Sequence, residues 1–167
     1  FDVLNGYGSF TPTTNQYIEV AAGTTITLTG DLEIAGLRLA ANSELILDGF
    51  ELTINEGDIE TLGGEINASS ESSTITFTGS SAQNFDANSL FNNELWELDI
   101  NKSTSQLNLS NTIVVSSLVR ILDGDLNVTN ANFTFGCEFN GSFIKTAQLD
   151  EVPSSSTITG DVDVEQC

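Results

Sequence analysis

The chain contains no histidine and no methionine, and only four of its 167 residues are lysine or arginine. Without histidine it lacks the side chain that most often works as a general base near neutral pH and as a metal ligand. The four cations, Arg38, Lys102, Arg120 and Lys145, stand against 24 aspartates and glutamates, a formal charge of −20. Such a field repels phosphate backbones and anionic lipid, so nucleic acid and acidic membranes are not expected partners. No apolar run approaches the roughly 20 residues that a spanning helix needs, so no membrane insertion is expected. The two cysteines, Cys137 and Cys167, belong to no Cys-x-x-Cys or Cys/His cluster, which argues against a zinc ribbon or an iron–sulfur centre. They are candidates for one disulfide in an oxidising compartment, closing a loop of about 30 residues worth about 3–4 kcal/mol in the chain-entropy model. Two free or intermolecular thiols are the alternative. The chain opens on Phe1 with no basic segment leading into an apolar one, so an export signal is expected to have been removed or to lie outside these residues. Helical periodicity is missing too: no window repeats apolar residues at i, i+3, i+4 and i+7 over three turns.

What is there is short alternation. Residues 23–54 read GTTITLTGDLEIAGLRLAANSELILDGFELTI, apolar pairs punctuated by Gly, Asn, Ser and Asp. Ile18 and Val20 return as Leu37 and Leu39, Ile26 and Leu28 as Leu45 and Leu47, and Leu32 and Ile34 as Leu52 and Ile54. Three strands therefore recur together, in order, after about 20 residues, the pattern of a solenoid whose coils stack on one another. A single coil cannot hold itself: about six inward side chains, each worth roughly 1.5–3 kcal/mol when buried, oppose about 1–2 kcal/mol of backbone entropy for each residue. Stacking covers interior coils on two sides. The spacing predicts an all-β fold, a parallel β-helix (β-solenoid) with about 20-residue coils, seven or eight of them in a rod of about 35 Å. A β-sandwich is the competing topology, and Asn-Gly or Asp-Gly hairpin signals do stand at Asn5, Asp48, Asp123 and Asn140. They are too few to connect so many short strands.

One domain is expected over 1–167. Residues 1–16 read as a cover for the first coil, with Phe1, Tyr7 and Phe10 as its apolar contacts, or as an arm reaching a partner subunit. Residues 17–79 form a first coil block, containing Ile59, Leu62 and Ile66 and a longer turn after Gly57. Asn42, Asn55 and Asn67, with Gly23, Gly30, Gly36 and Gly49, mark its corners as residue types that accept positive φ. Residues 80–94 lose the alternation and read as an excursion that tucks Phe85, Leu90 and Phe91 against the stack. The repeat resumes over 95–152: Leu98 and Ile100 return as Val119 and Ile121, Leu107 and Leu109 as Leu126 and Val128, and Ile113 and Val115 as Phe133 and Phe135. Residues 153–167 form a C-terminal tail.

The stretch from Ser73 to Val128 resembles a repeat type of secreted and surface-displayed, adhesin-like proteins of Bacteroidota-type bacteria. In that type a phrase such as Ile75–Gln83 (ITFTGSSAQ) leads through an aromatic spacer, here Phe91–Ile100, to Leu-x-Leu, Ile-x-Val and Leu…Gly-x-Leu steps. These stand here as Leu107–Leu109, Ile113–Val115 and Leu118–Leu126. The resemblance implies a β-solenoid stalk or adhesin segment, exported by a system that reads a C-terminal sorting domain. No such domain is recognisable here, which implies a processed protein or an internal piece. The resemblance carries no catalytic residues.

Candidate chemistry is sparse. Asp123 and Asp125 flank Gly124, and Asp161 and Asp163 alternate on one strand, so either pair offers the two carboxylates that glycoside hydrolysis uses. Among 24 acidic residues such pairs arise by chance, and a lyase acting on acidic sugars would want more cations than these four. No catalytic residue and no cofactor is therefore expected, and the chain reads as no enzyme. Calcium is the one metal to weigh, yet Gly63-Gly64-Glu65-Ile66-Asn67 lacks the third Gly and the Asp of the calcium-winding repeat. An ice-binding face would need threonine above threonine, whereas the 19-residue offset sets Thr25, Thr27 and Thr29 against Glu44, Ile46 and Asp48. Asn-x-Ser/Thr sequons at Asn67, Asn101, Asn108, Asn127, Asn132 and Asn140 follow from the composition. The resulting expectation is an extracellular or cell-surface structural and adhesive module with a polar acidic surface. Its partner would be a surface glycan, a protein, or another copy stacked end to end.

Overall fold

The structure, a computed structural model, describes the backbone of residues 2–4 and 14–135 and of five later strands, with side chains described for 2–3 and 14–131. Ten short strands alternate with tight corners: β1 Asp2–Leu4, β2 Tyr17–Val20, β3 Thr25–Thr27, β4 Leu32–Ile34, β5 Gly36–Leu39, β6 Glu44–Ile46, β7 Glu51–Ile54, β8 Ile59–Thr61, β9 Glu65–Ala68 and β10 Thr74–Phe77. Then come β11 Gln83–Asp86, a 3-10 turn Ala87–Ser89, and β12 Leu90–Phe135. Beyond these lie β13 Cys137–Asn140, β14 Phe143–Thr146, β15 Gln148–Leu149, β16 Ile158–Thr159 and β17 Val162–Val164.

Every third strand stacks in parallel on its predecessor. Register partners are Ile18 with Leu37 and Leu37 with Ile59 on the first sheet, and Ile26 with Leu45 and Leu45 with Ile66 on the second. On the third sheet Leu32 pairs with Leu52, Leu52 with Ile75, and Ile75 with Leu98. The repeated apolar pairs of the first coil block thus lie directly over one another, and the chain is a parallel β-solenoid. Its coils average about 22 residues, because the spacing grows from 19 (37 − 18) to 23 (98 − 75) as corners lengthen. Of the seven or eight coils expected, about four turns are shown. Lengthening a corner leaves the stacked strands in place, so it changes the period without changing the fold.

Inward positions form one apolar column. Ile18, Val20, Ile34, Leu37, Leu39, Leu45, Leu47, Leu52, Ile54, Ile66, Ile75 and Phe77 are fully buried, and the column continues through Leu98, Ile100, Leu107, Ile113, Val115 and Val119. Phe77 and Phe85 meet in successive coils with ring centroids 5.2 Å apart and planes tilted by 45°, within the range of favourable aromatic pairs. Residues 80–94 do not leave the stack. β11 pairs in parallel with Leu107–Ser110 of β12, and Leu90 and Leu95 pair with Ile66 and Ala68 of β9. The segment therefore supplies two strands of a regular coil, with Phe85 and Leu90 buried as expected and Phe91 turned out to solvent. Leu62 is likewise exposed, at the corner between β8 and β9, and is not a core residue.

β12 runs for 46 residues with only a few positions of left-handed backbone within it. Those positions are Asn92, Asn93, Asn111 and Gly124, all with positive φ. In the first block Asn42, Gly23 and Gly49 hold positive φ as expected, joined by Asp48, Gly63, Ser72 and Gly79. Gly30, Gly36, Asn55 and Asn67 do not; Gly36 lies within β5, and the two asparagines act through their amides: Asn55 accepts from Thr78 Oγ1 at 2.7 Å and Asn67 donates to Glu44 at 3.5 Å. β1 pairs in parallel with β2 and so covers the first sheet of the first coil; Phe1, Tyr7 and Phe10 lie outside the described residues. Towards the C-terminus β15, β16 and β17 pair in parallel with residues 118–119, 126–127 and 133–135. β13 and β14 form an antiparallel hairpin, Cys137 opposite Thr146 and Asn140 opposite Phe143. The Asn140-Gly141 signal thus marks a real hairpin, whereas Asp48-Gly49 and Asp123-Gly124 turn corners of the solenoid.

Candidate binding faces

A solenoid core packed with apolar side chains leaves the outer faces of its sheets for recognition. Because register is one residue to one residue, each outward position makes a column along the axis with a step of about 4.8 Å. On one such face a column runs Tyr17, Gly36 and Asp58 along the first sheet, which ends at β8, and continues across the Asp58–Asn84 side-chain bond into Asn84, Asn108 and Asn127 of β11 and β12. Asn84 donates to Asp58 Oδ2 at 3.2 Å, Asn108 to Asn84 Oδ1 at 3.2 Å, and Asn127 to Asn108 Oδ1 at 3.1 Å. Asp58 also takes the Asn84 backbone N–H at 2.6 Å, fixing the start of this ladder. The neighbouring column places Arg38 between two acids: it meets Glu60 Oε2 at 2.8 Å and Glu19 Oε2 at 3.5 Å. The hydrogen bond to Glu60 is the main cause that raises the Arg38 pKa.

The third sheet carries a second polar row. Glu33, Thr53, Thr76 and Asp99 occupy successive coils, followed by Arg120. Arg120 grips Asp99 with two bonds, Nε to Oδ1 at 2.7 Å and Nη2 to Oδ2 at 2.5 Å, and this pairing raises its pKa. Asp99 is 5% exposed although it faces outward, because the guanidinium lies over it. Thr76 donates to Glu51 Oε1 at 2.5 Å. The threonine row is only two residues long, Thr53 and Thr76, and on the second sheet Thr25 and Thr27 pair with Glu44 and Ile46. Among the described residues no ladder of threonines builds up on either sheet.

One polar cluster lies inside the wall. Lys102 and Gln83 are both fully buried, and Lys102 Nζ donates to Gln83 Oε1 and, at 2.9 Å, to the Thr78 carbonyl. Gln83 Nε2 donates in turn to the carbonyls of Gly57 at 2.7 Å and Ile54 at 3.2 Å. Burial pushes the Lys102 ammonium down to about 8, against a weaker pull from Glu56 and Asp58. Sequence reasoning missed this pair. Its signal was the inward phase shared by Leu98, Ile100 and Lys102, and by Gln83, Phe85 and Ala87.

The candidate catalytic pair stands at a corner of β12, where Asp123 Oδ1 accepts the Gly124 N–H at 2.9 Å and so serves the turn. Asp161, Asp163, Lys145 and the Cys137–Cys167 pair fall outside the described side chains. Gly63 and Gly64 form a corner and Glu65–Ala68 is β9, so the segment weighed for calcium is a corner and a strand. Glu44 and Glu65 stack in register beside a shallow polar groove that Thr25, Asn42, Ser43 and Gly63 also line. Among the described residues no three acidic or cysteine side chains gather into a metal-holding group. No helix there is long and apolar enough to cross a membrane.

Fold and faces together define a parallel β-solenoid whose outward columns are polar and whose interior is closed by side chains. No protein-family model, curated protein or solved structure matches the chain.

Proposed function

We propose that this solenoid is an extracellular or cell-surface structural and adhesive module, acting by presenting its outer faces rather than by turning over a substrate. The observation that carries the reading is the division of labour along the chain. Inward positions are spent on an apolar column broken by the buried Lys102–Gln83 pair, while outward positions carry rows of amides, carboxylates and guanidinium groups. Such a rod holds a long, chemically repeated surface at low cost in sequence, since each added coil rests on its neighbour. The charge of −20 keeps it soluble and favours uncharged or cationic partners. Calcium bridging between carboxylates of two rods is compatible with the same surface.

The test is adsorption to insoluble extracellular matrix and cell-wall preparations, followed by assay of the supernatant. Binding without released product supports the module. Release of reducing ends, abolished by Asp123→Asn or Asp125→Asn, would replace it with a polysaccharide-cleaving enzyme.

A second arrangement follows from the edges. Among the described residues β3 pairs only with β6 and β4 only with β7. End-to-end stacking of copies would pair those edges. Particles that lengthen with protein concentration in sedimentation support it, and a monomer at every concentration removes it.

A further inference from the structure

The outer face that runs from the first sheet onto β11 and β12 has features that a general presentation surface does not require. Its amide ladder keeps hydrogen-bonding capacity in reserve: Asn84 and Asn127 each commit one of their two amide hydrogens within the row. The mutual bonds hold Asn84, Asn108 and Asn127 in one repeated orientation, so the groups facing solvent recur at about 4.8 Å. That step is close to the rise of one pyranose unit in an extended β-linked chain. At the other end of the column Tyr17, a residue 42% exposed, lays its ring along the sheet. It can do so only because Gly36 and Gly57 lack side chains: a Cβ at Gly36 would meet the ring at 2.8 Å and one at Gly57 at 2.6 Å. The ring thus offers an apolar surface in line with the amides. The flanking column, Glu19, Arg38 and Glu60, supplies carboxylate acceptors for hydroxyl groups. Its acids outnumber its one cation, so it disfavours a charged uronate chain.

We propose that this face is a binding strip for a linear, neutral, β-linked polysaccharide laid along the solenoid axis, one sugar unit to each coil. Tyr17 stacks on the apolar face of a sugar at one end, Asp58 accepts from its hydroxyls, and Asn84 and Asn127 donate their remaining amide hydrogens to units further along, with Asn108, whose amide is fully engaged, holding the row between them. A protein partner fits less well, because the strip has no apolar patch to form the dry centre of such an interface. The proposal rests on the presentation role above and gives it a ligand class.

Affinity electrophoresis through gels containing mixed-linkage β-glucan, xylan or β-mannan, with polygalacturonate as the charged counterpart, tests it. At least one neutral polymer should retard the protein and polygalacturonate should not. Tyr17→Ala and Asn127→Asp should each weaken retardation about tenfold or more, while Thr27→Asp on the second sheet leaves it unchanged. Far-UV circular dichroism and melting confirm that each variant is folded, and the two strip variants stand in for one another if one is not. No retardation by any neutral polymer overturns the proposal, as does retardation indifferent to both strip variants. Matrix adsorption without neutral-polymer binding would leave the presentation role standing and this strip refuted.

Discussion

Raising the pH from below 8 to above 10.5 is expected to stabilise this protein through Lys102. Its ammonium sits fully buried with a carbonyl and an amide oxygen as partners and no carboxylate bonded to it. The folded-state pKa near 8 lies below the ordinary 10.5 that the side chain regains on unfolding. Between those values the unfolded chain binds more protons than the folded one, so stability rises with pH across the window. The contribution is fully present above 10.5 and is lost as pH falls through about 8. A gap from 10.5 to about 8 corresponds to about 3 kcal/mol at 1.36 kcal/mol per decade. With a urea slope of about 2 kcal/mol per M this moves the midpoint by about 1.5 M. Other groups titrate in the same range, so the measurement is a difference: urea midpoints of the native chain and of Lys102→Met at pH 7.5 and pH 10.5. The native chain should gain on the variant as pH rises. Parallel midpoints for both proteins would show that the ammonium is hydrated in the folded state and would refute the reasoning.

Substitutions at two ion pairs and two glycines test other parts of the stack. Arg120→Leu should lower stability by about 2–3 kcal/mol in urea unfolding, because Asp99 would stay nearly buried with its charge unpaired; Arg120→Lys should recover part of that, lacking the two-pronged grip. Arg38→Ala, between the half-exposed Glu19 and the exposed Glu60, should cost less, with an effect that fades in salt. Gly79→Ala should cost about 3–5 kcal/mol or prevent folding, since φ is +86° and the new Cβ would lie 1.8 Å from the Asn55 carbonyl oxygen. Gly23→Ala, with φ +68° and open space around it, should cost only about 1 kcal/mol in thermal melts. Equal losses at the two glycines would mean that backbone conformation, not coil-to-coil contact, sets the penalty.

The first block was legible because its inward side chains are mostly apolar, with Ser43, Thr61 and Ser73 the small polar exceptions, and its coils nearly equal in length. Ile18 over Leu37, Ile26 over Leu45 and Leu32 over Leu52 are the register pairs that the 19- and 20-residue offsets imply. The reading faltered at 80–94 for an identifiable reason. β11 turns Gln83 inward beneath Leu107, and Lys102, just past the segment stacked on β10, turns inward to meet it, so a polar pair replaces the apolar signal at both places. A pattern search for hydrophobic residues sees a gap there, although the strand never leaves the wall. The hairpin β13–β14 was visible as Asn140-Gly141, but a signal of the same class, Asp48-Gly49, turns a solenoid corner.

Sequence alone determined the winding: periodic apolar pairs can be buried in only one way when three strands recur in a fixed order, and that requirement is local enough to read from spacing. Tertiary structure decided what the rows mean. Asn84, Asn108 and Asn127 are 24 and 19 residues apart and become a hydrogen-bonded ladder only once unequal corners have been absorbed and the coils aligned. Likewise a lysine and a glutamine, unremarkable in the chain, become a buried pair because stacking excludes water from both.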